Sequence, residues 1–160
     1  MTKSIKYLTK AILLVLPLLF SNCNEKILHN SSMAKNNPRI IFEKTRCYGK
    51  CPIYIAKFYL NDKIEIYPEA NFKITEKSLA LMKKGRLKEL LNEANEIDFW
   101  NLQDEYDNKN LQDAPETFIT ISNRGQLKKI RIRTQAPKKL QELVQSIEKE
   151  VTRAKWTIIK

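Results

Sequence analysis

The hydrophobic period first changes along this chain near Ser78, and that change restricts the available folds more than any single residue does. Before it, apolar residues alternate. Tyr54, Ala56, Phe58 and Leu60 fall on one side of the stretch 52–60, and Ile64 and Ile66 on one side of 63–67. Residues 39–46 are rich in β-formers, so three strands are expected, with a further short one at 71–75. Asn61-Asp62 marks a two-residue hairpin turn, because both residue types tolerate positive φ. From Ser78 onward the apolar positions are Leu79, Met82, Leu87, Leu90, Leu91, Ala94 and Ile97, which is helical spacing. Ser78 is a candidate N-cap, unless Gly85 weakens the segment enough to delay the helix to Arg86.

Beyond the helix, Phe99, Trp100 and Leu102 form an apolar tuck, and a polar loop runs from 103 to 115. Residues 116–123 and 126–134 form a hairpin around Arg124-Gly125. Pro137 suits the first turn of a last helix with Leu140, Leu143, Val144, Ile147 and Val151 as its stripe. The expected order is βββ(β)αββα. Hairpins require antiparallel pairing, so the expected fold is two-layer α+β, an antiparallel sheet of about five or six strands under two helices. With 160 residues and 42% hydrophobic content, the chain holds one such domain and an appendage.

The appendage reads as an address. Lys3, Lys6 and Lys10 precede an uncharged run at 11–20, and Cys23 follows Ser21 and Asn22. This is the layout of a secretory leader, and the run is too short to span a bilayer, which needs about 20 apolar residues. A buried core helix is the competing reading, but the run has no polar face. The tetrapeptide ending at Cys23 resembles a bacterial lipobox, which implies that Cys23 is diacylated and begins the mature chain. A plain secreted protein with a free Cys23 is the alternative. The divisions are therefore a leader at 1–22, a lipidated cysteine and tether at 23–37, and one domain at 38–160. Residency on the outer membrane is expected because Asn24, not Asp, follows Cys23. Losing the leader takes the net charge from +11 to +8, with 26 basic against 18 acidic residues left. His29, the one histidine, lies in the tether, which excludes metal sites needing two histidines.

The stretch 46–54, R-C-Y-G-K-C-P-I-Y, resembles the hallmark of an uncharacterised family of bacterial envelope lipoproteins, known as a domain of unknown function. The similar features are a strand, a C-x-G-x-C-P-x-Y turn, a second strand, and a helix ending in an aromatic pair, here Phe99-Trp100. Asp113-Ala114-Pro115 then precedes a hairpin, and Trp156 lies beyond a final helix. The resemblance spans about 38–158 and implies no catalytic residues. In place of the family's turn glycine after the second strand, this chain has Asn61-Asp62.

With Cys23 lipidated, Cys47 and Cys51 remain, an even count in an oxidising compartment, so a disulfide is expected. In a straight strand the two would lie ~13 Å apart, too far for a bridge. A three-residue hairpin loop, Tyr48-Gly49-Lys50, with Gly49 in the left-handed position, would bring them face to face and clip strand one to strand two. A redox pair is the weaker alternative, since no helix starts at either cysteine to lower a thiol pKa. Zinc is weaker still, because no second pair of ligands exists.

Two charged features carry weaker readings. Lys129, Arg131 and Arg133 share a strand face that could bind phosphate or a polyanionic glycan. The competing reading is a solvated face that protects an edge. No aromatic interleaving points to nucleic acid. The loop with Asp104, Glu105, Asp107, Asn108, Asn110 and Asp113 could hold Ca²⁺, yet it lacks the order of an EF-hand and reads better as solvated. No metal, cofactor or catalytic residue is assigned. The expected function is a lipid-anchored, non-enzymatic binding or structural module of the envelope, with an envelope protein or polyanionic glycan as partner and a surface such as the tip Tyr48, Gly49 and Lys50 as a candidate contact. A thiol-dependent or carboxylate-based envelope enzyme is the alternative.

Overall fold

The alternating stretches pair as β1 (Ile40–Lys44), β2 (Ile53–Phe58) and β3 (Lys63–Ala70) in the computed structural model, which describes residues 37–108 and 114–159. Because side chains alternate across a strand, register decides which face is apolar. The observed register makes two unbroken rows. Ile121, Ile40, Phe58, Ile64 and Ala80 lie side by side across five strands, and so do Ile119, Phe42, Ala56, Ile66 and Ser78. Nearly all of these side chains are removed from water, each apolar one worth roughly 1.5–3 kcal/mol when large and fully buried.

The sheet is larger than the sequence predicts. It has eight strands in the order β5-β7-β6-β1-β2-β3-β4-β8, adding β4 (Ser78–Leu81), β5 (Glu105–Tyr106), β6 (Thr117–Asn123), β7 (Gln126–Ile132) and β8 (Thr157–Ile158). Three of these correct the expectation. Ser78 is not a helix cap but the first residue of β4, and no strand forms at 71–75. Leu79 and Met82 fit a helical spacing by coincidence, since four residues are too few to separate the two periods. The pairs β5 and β8 are only two residues long, and β5 runs parallel to β7. Such short strands leave no periodic trace and exist because a neighbour offers its edge.

Helix α1 (Arg86–Glu96) begins after Gly85, whose φ of 85° needs a residue without Cβ strain. Its Leu87, Leu90 and Ala94 meet Leu140, Leu143, Ile147 and Val151 of α2 (Lys138–Arg153) over the apolar sheet face. Phe99 leads a short 3₁₀ turn and is fully buried. Pro137 stands one residue before α2. The opposite sheet face has no helix over it among the described residues.

The turn at Asn61-Asp62 is a three-residue loop, not a two-residue one. Tyr59 and Lys63 close it, the Asp62 N–H bonds to the Tyr59 carbonyl, and only Asp62 has positive φ, 57°. The β6–β7 turn does use both expected residues, with Arg124 at φ 48° and Gly125 at φ 83°.

Candidate functional site

β1 and β2 stop pairing at Lys44 and Tyr54, and the intervening loop carries the cysteines. Cys47 and Cys51 are joined, with their Cα atoms 5.8 Å apart. The bridge closes the outer part of an eight-residue connection, 45–52, rather than the mouth of a three-residue hairpin. It therefore does not clip paired strand residues. Gly49 is not left-handed, and its N–H points back to Cys47 Sγ at 3.2 Å. A Cβ on Gly49 would meet that sulfur at 3.8 Å, an ordinary contact, so sterics do not demand glycine there.

The base of the loop is tied to β6. The Thr45 N–H donates to the Glu116 carbonyl at 3.0 Å, and the Glu116 N–H donates to Thr45 Oγ1 at 3.0 Å. The motif divides by direction. Tyr48 is 93% exposed, whereas Tyr54 is buried against the rings of Phe42 and Phe72. Burial first, then the nearby Glu148 carboxylate, pushes the Tyr54 hydroxyl pKa up. The loop thus stands on an aromatic anchor and presents a second aromatic to water.

Between this loop, the end of β3 and the ends of β6 and β7 opens a cleft of about 960 Å³. Tyr48, Ile53, Ile55 and Tyr67 supply its apolar surface, and Arg46, Glu69, Glu116 and Arg133 its charged surface. Ile55 is 39% exposed on the uncovered sheet face. Arg46 and Glu69 form an exposed ion pair of 2.8 Å. A bulge at Ile53/Tyr54, opposite Pro68 to Ala70, shifts the register beside the cleft.

The strip expected to bind anions is occupied by the protein's own carboxylates. Lys129 meets Glu43 at 3.0 Å, Arg131 meets Glu116 at 2.6 Å and also Glu105, and Arg133 meets Asp107 at 3.3 Å. The hydrogen bonds that Arg131 donates to Glu116 are the main reason its pKa is raised. Lys129 also lies 4.3 Å from the centre of the Phe118 ring. The acidic loop supplies half of these partners. Asp104 takes Lys128 at 2.7 Å, so Asp104, Glu105 and Asp107 are spent on cations. Among the described residues no three His, Cys, Asp or Glu side chains stand together as a metal site. Asn110 and Asp113 lie outside the described residues, as do the leader, Cys23 and His29.

Sequence reading missed a cluster on the uncovered sheet face. Glu65 accepts from Tyr59 at 3.0 Å, from Tyr67 at 2.9 Å and from Lys63 at 2.9 Å. Burial raises the Glu65 pKa, but these three bonds and the Lys63 charge outweigh it and hold the carboxyl at about 2. Lys57 and Lys77 flank the Tyr67 ring at 4.6 and 5.0 Å. The signal was present in the opposite parity of the same strands, where Lys57, Tyr59, Lys63, Glu65 and Tyr67 alternate with the core residues.

Two comparisons bear on this arrangement. Residues 38–151 match a family described as Domain of unknown function (DUF6438), a span that runs from β1 through all but the last two residues of α2 and leaves out β8. A comparison with curated proteins found no match.

Proposed function

We propose a binding role for this chain, which belongs to the family Domain of unknown function (DUF6438): it is a lipid-anchored protein of the bacterial envelope that engages another envelope component through the cleft at its disulfide end. The observation that carries this reading is the pairing of a 93% exposed Tyr48 with an open cleft whose walls are held by a bridge and by β6. A rigid aromatic at the rim of a concave surface is a favourable anchor, since Tyr adds contact area at little entropic cost. Two features favour binding over chemistry. The cysteines are tied to each other, and the cleft carboxylates Glu43, Glu69 and Glu116 each hold a cation. The anchor reading rests on Lys3, Lys6, Lys10, the apolar run at 11–20 and Cys23, and outer-membrane residence rests on Asn24.

The test places a photo-crosslinking residue at position 48 in the native envelope, with a second at Lys139 as control. The expected outcome is a discrete adduct from position 48 and none from 139. Equal labelling from both, or none from 48, removes the cleft as the binding site. Metabolic acyl labelling of Cys23 against Cys23→Ala checks the anchor, with loss of label and release from membranes expected in the variant.

A further inference from the structure

The end of the sheet opposite the disulfide has a different chemistry. The chain enters the described domain there. The Arg39 N–H donates to the Phe58 carbonyl at 2.7 Å and the Arg39 carbonyl accepts from Ser122 at 2.9 Å, so residues 37–39 lie beside the ends of β2 and β6. Both hairpin turns, 60–62 and 124–125, are at this end. The Asp62 carbonyl takes the Met82 N–H at 2.9 Å, which brings Leu81 to Lys84 to the same rim. From β7 to β4 the rim crosses five strand spacings, roughly 24 Å.

Three of the large apolar side chains most open to water lie on it: Leu60 at 48%, Leu81 at 72% and Leu127 at 73% exposure. Lys83, Lys84 and Arg124 are exposed among them and have no carboxylate partner among the described residues. Of the acids beside this rim, Asp62 is already bonded to the N–H groups of Gly85 and Leu87, and Asp104, next to Leu127, is paired with Lys128 at 2.7 Å. Exposed leucines interleaved with unpaired cations are what an interfacial membrane contact needs: apolar groups reach the acyl boundary while cations meet phosphates.

We infer that this rim is a membrane-docking surface that takes the phosphate head groups of anionic phospholipids, with Leu60, Leu81 and Leu127 entering the interface. The inference rests on the lipid-anchor reading for bringing a bilayer within reach. Docked this way, the domain turns its Tyr48 cleft away from the lipid, toward a partner.

The test uses the chain from Asn24 onward, without leader or lipid. Residues 37–160 are a compact unit and the whole core lies within 40–151, so this form folds. Flotation is measured with vesicles of phosphatidylglycerol and phosphatidylcholine, and with phosphatidylcholine alone. Binding to the anionic vesicles, weakened by salt, is expected. Lys83→Gln, Lys84→Gln and Arg124→Gln together should weaken it on the order of 100-fold. The matched variant Lys139→Gln, Lys149→Gln and Arg153→Gln, on exposed positions of α2, should not. Equal binding to both vesicle types, no binding, or equal loss in both triple variants overturns the inference. Failure of acyl labelling at Cys23 in cells would remove the anchor reading alone and leave the vesicle result standing.

Discussion

Glu65 shows how a single carboxylate can be made part of the fold rather than of its solvated surface. Two phenol hydroxyls and an ammonium converge on it, and its carboxyl is held at about 2 against an ordinary 4.5. A depressed folded-state pKa gives stability that is present above the unfolded value and lost as pH falls through the folded one. The window therefore runs from about 4.5 down to about 2. Glu65→Gln is expected to be less stable than the parent at neutral pH by at most about 3 kcal/mol. The gap should close toward pH 2, where protonation of the parent's Glu65 sets in. Urea unfolding at both pH values reads this directly, and a gap independent of pH would show that the charge does not contribute.

At the scale of elements, Asp62 joins a hairpin to a helix. It occupies the left-handed position of the β2–β3 loop, and its two carboxylate oxygens accept the N–H groups of Gly85 at 2.6 Å and Leu87 at 2.9 Å. The first turn of α1 has no cap from its own N-cap side chain, so a residue more than 20 positions earlier supplies one. Two costs can be separated by substitution. Asp62→Gly removes the cap and keeps the backbone relaxed, for a loss of about 1 kcal/mol. Asp62→Ala adds the strain of positive φ on a residue with Cβ, for about 2 kcal/mol in all. Equal melting temperatures for the two variants would mean that the backbone of the loop shifts to relieve the strain.

For the whole molecule, the bridge and the sheet contribute independently. Neither cysteine lies in a ladder, and the closed loop is tiny, so chain entropy puts the bridge at about 2 kcal/mol. Cys47→Ala with Cys51→Ala should lower the melting temperature while leaving the near-ultraviolet circular dichroism of the Tyr54 and Phe42 packing in place. Loss of that signal at low temperature would mean that the bridged loop organises β1 and β2.

What the chain carries locally was legible without coordinates. The two helical stripes, the three paired strands of the first half, the β6–β7 turn and the cysteine pair all follow from periodicity, turn chemistry and count. Each of those signals is contained within a few residues. The remainder depends on neighbours distant in sequence. β5 and β8 are strands only because β7 and β4 offer unpaired edges, and Ser78 is buried in β4 because Ile66 lies beside it. Lys129, Arg131 and Arg133 spell a cationic strip in one dimension, yet Glu43, Glu105, Asp107 and Glu116 arrive from three other segments to neutralise it. Composition can count charges, but only tertiary packing decides which of them meet, because Coulomb attraction and hydrogen bonding act over a few ångströms of space and not along the chain.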